Sequence, residues 1–541
     1  MKLPFLLLLI SAGFAASAAE FDVRAFGAKG DGVALDSPAI NRAIDAAAEA
    51  GGGTVVLPAG DYLSYTVRLR SHITLRLESG ATLLAADPPP EGEPGGYDAP
   101  EPNPHNVHQD FGHTHFRNSL IWGDGLENVT IEGAGRIFGR GLSRGNTPVA
   151  LPVGARYQPE PTEVPDVLEA DGPFAFAPRP ELVPGPWGHP KARDRLRDGA
   201  GNKAIAIVRS RNVTLRDFSI LHGGHFGILT TEVDNLTIDN LRIDTNRDGM
   251  DIDGCRNVRI SRCSVNAPWD DAICLKSSAP FGEPRLTENV TISDCLVSGY
   301  DEGSLLDGTR RTTWKTRGGP HGRIKLGTES SGGFRNITIT NCIFDHCRGL
   351  ALEQVDGGIL EDVVATNLVM REVQNTPLFI RLGARLRAPG NPTAGTVRRI
   401  KIAHLIATDV APEYGLMIVG LPGHPIEDVT LRDILVEYRG GGTGTDAQRE
   451  IPEYEADYPE PGPPGRWGTM PAWGAFVRHA RNVDFADVEL RVASPDERPP
   501  LYFEDVDGCR LSRVRADGRY GVPTIVRKDV RGLVLDQVET K

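Results

Sequence analysis

Several things are missing from this 541-residue chain, and each absence removes a class of explanation. There is no CxxC pair, so nothing in the cysteine pattern points to a bound metal. After one apolar run near the start, no segment is long and apolar enough to cross a bilayer, and a membrane partner is not expected. Positive charge is in deficit. The formal net charge of -13 argues against nucleic acid as a partner and requires any polyanionic substrate to be met by a local basic groove.

The seven cysteines form an odd set, which leaves at least one thiol unpaired within the chain. Cys263, Cys295 and Cys342 end the equivalent tripeptides Ser-Arg-Cys, Ser-Asp-Cys and Thr-Asn-Cys. A recurring position of this kind reads as a buried column of small residues rather than as specific disulfides. The apolar run Phe5–Ile10 follows Lys2 and leads to Ala15-Ala16-Ser17-Ala18-Ala19, the pattern of a secretory signal peptide over residues 1–19. Export to a periplasmic or extracellular location is therefore expected, with residues 20–541 as a single domain.

That domain is repetitive. Asn128-Val129-Thr130-Ile131 recurs as Asn212-Val213-Thr214-Leu215, Asn235-Leu236-Thr237-Ile238, Asn257-Val258-Arg259-Ile260, Asn289-Val290-Thr291-Ile292 and Asn336-Ile337-Thr338-Ile339, with looser copies at Asp362, Asp428 and Asn482. Period-2 alternation means strands, and 22 to 23 residues between the best copies leave no room for a crossover helix. An all-β, right-handed parallel β-helix is the economical solution, with the leading Asn bonding its counterpart in the next coil. Asp36-Ser37-Pro38, then Ile40, Ala43, Ile44 and Ala47, then Gly51-Gly52-Gly53 predict a helix that lids the N-terminal coil.

Three Pro-rich insertions interrupt the repeats, near 88–117, 141–200 and 440–473. Loops of that length are expected to wall subsites or to stabilise the coil. His105, His108, His113 and His115 in the first lack a metal-ligand spacing and are expected to lie along the substrate. Tyr454, Tyr458, Trp187, Trp314, Trp467 and Trp473 are open between subsite surfaces and packing.

Chemistry is concentrated in the acids. Asp248 precedes Asp270 by 22 residues, one repeat, so a stacked coil sets it beneath Asp270 and Asp271 at about 4.8 Å. Alone, Asp248-Gly249 is an ordinary turn pair. Three carboxylates in one patch cannot all ionise freely, and at least one pKa should rise. A proton donor beside ionised carboxylates is what glycoside hydrolysis requires.

With these residues in hand the chain resembles the polygalacturonase family, family 28 of the glycoside hydrolases. The likeness starts at Phe21-Asp22-Val23 and Phe26-Gly27-Ala28-Lys29-Gly30-Asp31-Gly32 and is strongest between 203 and 360. The family's Asn-Thr-Asp-Gly element corresponds to Asn246-Arg247-Asp248-Gly249, and its Asp-Asp pair to Asp270-Asp271, followed by Ile273 and Lys276. Its Gly-His-Gly element corresponds to Pro320-His321-Gly322, in register with the tail Gly327-Thr328-Glu329-Ser330-Ser331-Gly332-Gly333. Its Arg-Ile-Lys element is replaced by Ala351-Leu352-Glu353, while Arg323-Ile324-Lys325 comes too early in register.

The resemblance implies Asp270 as general acid, Asp248 and Asp271 activating water, and inversion by single displacement, with no metal and no cofactor. Asn246, His321, Lys276 and Arg381 are the substrate-binding candidates, Arg381 with Arg385 and Arg387 as possible replacements for the lost cations; Asp251 is a supporting residue. The acid cluster shows no obvious basic partner. An inserted stretch between Val297 and Gly318, containing Asp301, Glu302 and Asp307, should reshape the wall beside His321. The implied function is a secreted hydrolase of pectic polysaccharide or oligosaccharide. Rhamnogalacturonan-type hydrolysis, a lyase or epimerase on the same scaffold, and a non-catalytic carbohydrate-binding β-helix are the alternatives.

Overall fold

The computed structural model describes residues 19–540 apart from 91, 106, 110, 144–198, 314–318, 463–465 and 518–521. The leader, Trp187, Trp314 and most of the 141–200 insertion lie outside the described residues.

Strand pairing is parallel throughout the named ladders, and each strand pairs with one a full coil away. Lys203–Val208, Arg211–Arg216 and Ser219–Leu221 make one turn; the next strand, Phe226–Thr231, returns beside the first with Lys203 opposite Phe226. The same step of 22 or 23 residues sets Phe226 opposite Asp248 and Met250 opposite Ile273. Further coils bring the total to 33 strands among the described residues and complete the right-handed parallel β-helix expected from the repeats. Inward residues such as Val213, Leu236, Val258, Val290 and Ile337 stack into a continuous core.

The Asn column is a ladder of side-chain amides. Asn235 donates from Nδ2 to Asn212 at 2.9 Å, Asn257 to Asn235 at 3.2 Å, Asn289 to Asn257 at 3.1 Å and Asn336 to Asn289 at 3.1 Å. Each of these residues has φ between 55° and 58°, the left-handed region that Asn tolerates better than other L-residues. Cys263, Cys295 and Cys342 form the expected column, and all seven cysteines are free and buried.

The predicted cap is present as the helix Ser37–Glu49, with Pro38 in its first turn and Ile40, Ala43, Ile44 and Ala47 turned inward. One detail differs. Asp36 makes no side-chain cap bond; its carboxylate accepts instead from the backbone N–H groups of Lys29 and Gly30, at 2.7 and 2.9 Å, and ties the preceding loop to the helix start.

One face departs from the alternation of the others. Strands Arg211–Arg216 and Asp234–Asp239 alternate buried and accessible residues, whereas Phe226–Thr231, Asp248–Asp253, Ile273–Ser277, Ile324–Ser330 and Leu350–Gln354 are buried at every position. Their inward residues are aliphatic; their outward residues include Asp251, Asp253, Lys276, Lys325, Glu329 and Glu353. Charges are seldom buried unless paired, so this covered, charged face is where the fold departs most from what stability alone asks.

Two insertions do the covering. In 88–117, Asn103 Nδ2 donates to the Pro280 carbonyl at 2.8 Å and Gln109 Oε1 accepts from the Ala279 N–H at 3.1 Å, which lays the loop along the face. The described part of 440–473 brings Tyr458 and Glu460 over the later coils. The stretch after Val297 is anchored by Asp244, whose carboxylate accepts from the N–H groups of Gly303, Leu305 and Leu306 and from Asn266, all at 2.9 Å.

Candidate active site

Asp248 opens its strand, and the Gly249 N–H donates to the Asp271 carbonyl at 3.0 Å, so the two acidic elements lie on adjacent coils as their spacing predicts. Glycine is required between them: a Cβ at Gly249 would stand 2.3 Å from Val265 Cγ1 and 2.5 Å from the Ala272 carbonyl oxygen. His321 is brought in from the following coil by two backbone bonds, His321 N–H to Pro268 O and Gly322 N–H to Asp270 O, each 2.9 Å. Gly322 has φ +54°, and a side chain there would meet the Ser298 carbonyl at 2.1 Å.

A narrow cleft lies here, lined by Asp248, Asp270, Arg247, Lys276, Lys325, Glu329 and Arg385, with His113, His225 and Phe226 on one wall and Tyr458 on another. Asp270 retains 17% of its side-chain exposure while Asp271 retains 1%, so Asp270 is the carboxylate of the pair that faces solvent.

The acids are not short of basic partners, contrary to the expectation from sequence. Arg247 Nη2 lies 2.8 Å from Asp270 Oδ2, Arg323 Nε donates to Asp271 Oδ1 at 2.8 Å, and Lys325 Nζ lies 3.1 Å from Asp271 Oδ2. These partners come from the position between Asn246 and Asp248, and from the early Arg323-Ile324-Lys325. The register explains why: Lys325 pairs with Ala351, so the two cations sit one coil before the Ala351-Leu352-Glu353 segment that lacks them. Glu353 is buried 3.9 Å from Lys325 Nζ.

Electrostatics separates the three acids. Burial raises the Asp248 carboxyl well above the usual range, and Asp251 and Asp270 push it further. Burial acts in the same direction on Asp271, but Lys325 and Arg323 outweigh it and bring that carboxyl down to about 2. Asp251 is raised to about 7 by burial against the pull of Lys276 and His113. Burial, then Arg348, drives the His321 imidazole well below its ordinary value, so it is neutral. One group therefore holds a proton where another close by is ionised, the pattern by which acid and base are told apart.

One ligating atom each of Asp270, Asp271 and His321 lie within 4.8 Å of one another. Arg247, Arg323 and Lys325 already neutralise both carboxylates, which leaves a metal ion little charge to meet.

The remaining candidates are dispersed. Lys276 lines the cleft and is held by Glu329 at 3.0 Å. Asn246 is fully buried, and neither atom of its amide finds a hydrogen-bond partner among the described residues. Arg381 is elsewhere: it pairs in register with Glu353, packs over the Trp467 ring at 5.1 Å, and donates to the carbonyls of Gly420, Glu453 and Tyr454. Arg385 lines the cleft but is bound to Asp356 at 2.6 Å, and Arg387 to Glu329 at 3.0 Å. Trp467 and Trp473 are packing residues, with Trp467 against Phe379 and Tyr454. Of the four first-loop histidines, His113 reaches the cleft, 3.5 Å from Asp251 and 3.7 Å from Asp253.

Comparison with known proteins agrees with the fold. The family described as "Right handed beta helix region" matches residues 196–315, and "Rhamnogalacturonase A/epimerase, pectate lyase-like" matches residues 21–79. The family 28 exopolygalacturonase of Yersinia enterocolitica superposes with a TM-score of 0.62 at 18% identity, covering 92% of this chain and 79% of that one. A hyperthermoactive exopolygalacturonase from Thermotoga maritima gives 0.56 at 22%, covering 78% and 87%. The resemblance to polygalacturonases read from the motifs is thus borne out in the fold. Curated relatives match over short segments: mannuronan C5-epimerase AlgE4 of Azotobacter vinelandii is 60% identical over 67 residues, 12% of each chain. An exo-poly-alpha-D-galacturonosidase of Dickeya chrysanthemi is 42% identical over 66 residues, 12% of this chain and 11% of the relative. The chain spans only 5% of the first curated relative it matches, alginate lyase 7 of Azotobacter vinelandii.

Proposed function

We propose that this protein is an inverting glycoside hydrolase of pectic polysaccharide or oligosaccharide. The observation that carries the reading is the placement of Asp248 and Asp271 on adjacent coils beside the partly exposed Asp270, with Asp271 held between Arg323 and Lys325. In this mechanism Asp271, ionised between Arg323 and Lys325, is the general base that takes a proton from the attacking water. Asp270, the acid exposed to the cleft, protonates the departing glycosidic oxygen. Asp248, expected from the resemblance to share the work on water, is instead pushed toward its protonated form by burial and by the neighbouring Asp251 and Asp270. Neutral His321 offers a hydrogen bond to the sugar without adding charge. The leader-like residues 1–19 support export as part of the same proposal.

The test is reducing-end release from pectic substrates by wild type and Asp270→Asn. The reading expects a loss of about 10²-fold or more; unchanged release rejects it.

The short match to mannuronan C5-epimerases favours one second reading, proton abstraction beside a uronate carboxylate. It predicts epimerised residues or an unsaturated, ultraviolet-absorbing product in place of new saturated reducing ends.

A further inference from the structure

Glu460 has no role in the mechanism above, yet three cations beside the cleft converge on its carboxylate. Arg323 Nη2 lies 2.5 Å and Arg348 Nη1 2.8 Å from its Oε2; Lys325 Nζ donates to its Oε1, and the Tyr458 hydroxyl lies 3.2 Å from the same oxygen. Glu460 and the three cations are buried, and Tyr458 is half-buried. Two of the three cations, Arg323 and Lys325, also hold Asp271, and Lys325 and Tyr458 line the cleft. The carboxylate is carried by an insertion rather than by a coil, and its flanks are clamped on both sides. The Trp467 indole N–H donates to the Pro459 carbonyl at 2.9 Å, and Asn375 Nδ2 donates to the Pro461 carbonyl at 3.0 Å. Glu460 is thus a fixed part of the wall, not a lid poised to leave.

Each of the three cations is engaged by an acid of the protein: Arg323 and Lys325 by both Asp271 and Glu460, and Arg348 by Glu460. A sugar carboxylate arriving at this wall finds each of these three cations already bound to a carboxylate of the protein, and desolvating an anion there without a free counter-charge carries a large cost. A hydroxymethyl or methyl group in its place carries no such cost.

We infer that Glu460 is a specificity-determining residue, a built-in carboxylate that occupies the cation trio and makes the sugar against this wall a neutral residue rather than a uronate. The inference deepens the hydrolase reading and rests on it for the identity of the cleft, while its evidence is the occupancy of the cations alone.

The experiment compares trigalacturonate with its carboxyl-reduced, neutral counterpart on the wild-type protein, Glu460→Ala and Glu460→Gln. Preference is read as the ratio of Kd by titration calorimetry where no turnover occurs, and of kcat/KM where it does. Absence of hydrolysis would therefore reject the proposed function without deciding this inference. The wild type is expected to favour the neutral trisaccharide by at least about tenfold, and the freed cations of Glu460→Ala to bring that ratio to unity or reverse it. Glu460→Gln, which keeps the shape and removes the charge, is expected to move the ratio the same way, and added acetate to restore the neutral preference of Glu460→Ala. A wild-type protein that prefers trigalacturonate, folded variants with an unaltered ratio, or failure of wild type to bind either sugar would each overturn the inference. Should both variants fail to fold, the wild-type ratio decides it.

Discussion

Arg323 donates from Nε to Oδ1 of Asp271 at 2.8 Å across 52 residues of sequence. That bond, with Lys325 at 3.1 Å on the other oxygen, holds the buried Asp271 carboxyl in its ionised form. Asp248 and Asp271 are both buried and differ in their neighbours, and the division of labour proposed for them rests on what each carboxylate touches.

Removing a cation should therefore move a pH limb. Burial by itself favours the protonated form of Asp271, and Lys325 is the larger of the two charges that overcome it. In Lys325→Met the acid limb of kcat/KM is expected to shift upward by about one pH unit or more. A pH–rate profile reads this directly, and an unmoved limb would show that Asp271 is not the base.

Stability should decline toward neutral pH. Asp251 and Glu353 are raised to about 7 from ordinary values of 3.8 and 4.5, chiefly by burial. For a raised carboxyl, folding is favoured fully below the unfolded value and loses that contribution as pH climbs to the folded one. The window therefore runs from about 4 to about 7. Asp271, lowered to about 2, acts in the opposite sense and loses its contribution only as pH falls from 3.8 toward 2. The melting temperature is expected to be higher at about pH 5 than at about pH 8; the reverse order would mean that these groups are not buried as described.

The Asn ladder should matter for stability and not for catalysis. Asn257→Ala removes a bond to Asn235 and one from Asn289 and places alanine at φ +55°. A loss of about 1–2 kcal/mol is expected by denaturant titration, with kcat/KM unchanged. A large fall in activity would assign the column a role beyond the turn.

Much of this was legible in the sequence because period and spacing are geometric statements. A repeat of 22 to 23 residues implied parallel coils, and the Asn at its head implied a side-chain ladder. The juxtaposition of Asp248 with Asp271 followed from the same arithmetic. What spacing did not carry was contact made by insertions. Glu460 meets Arg323 and Lys325 from 137 and 135 residues away, through a loop with no periodic register. Arg323-Ile324-Lys325 was visible as a motif, but one coil early. Its value depends on the outward face being covered, which alternation in a single strand does not reveal. Arg381 shows the converse: an arginine at a plausible distance in sequence, spent on three backbone carbonyls under Trp467.

The most direct test of the central claim is proton NMR of new reducing ends formed from homogalacturonan and rhamnogalacturonan oligosaccharides, followed from the first turnovers. The account predicts ends of inverted anomeric configuration, formed by wild type and lost in Asp271→Asn. Ends of retained configuration, or unsaturated products without new saturated ends, would contradict it.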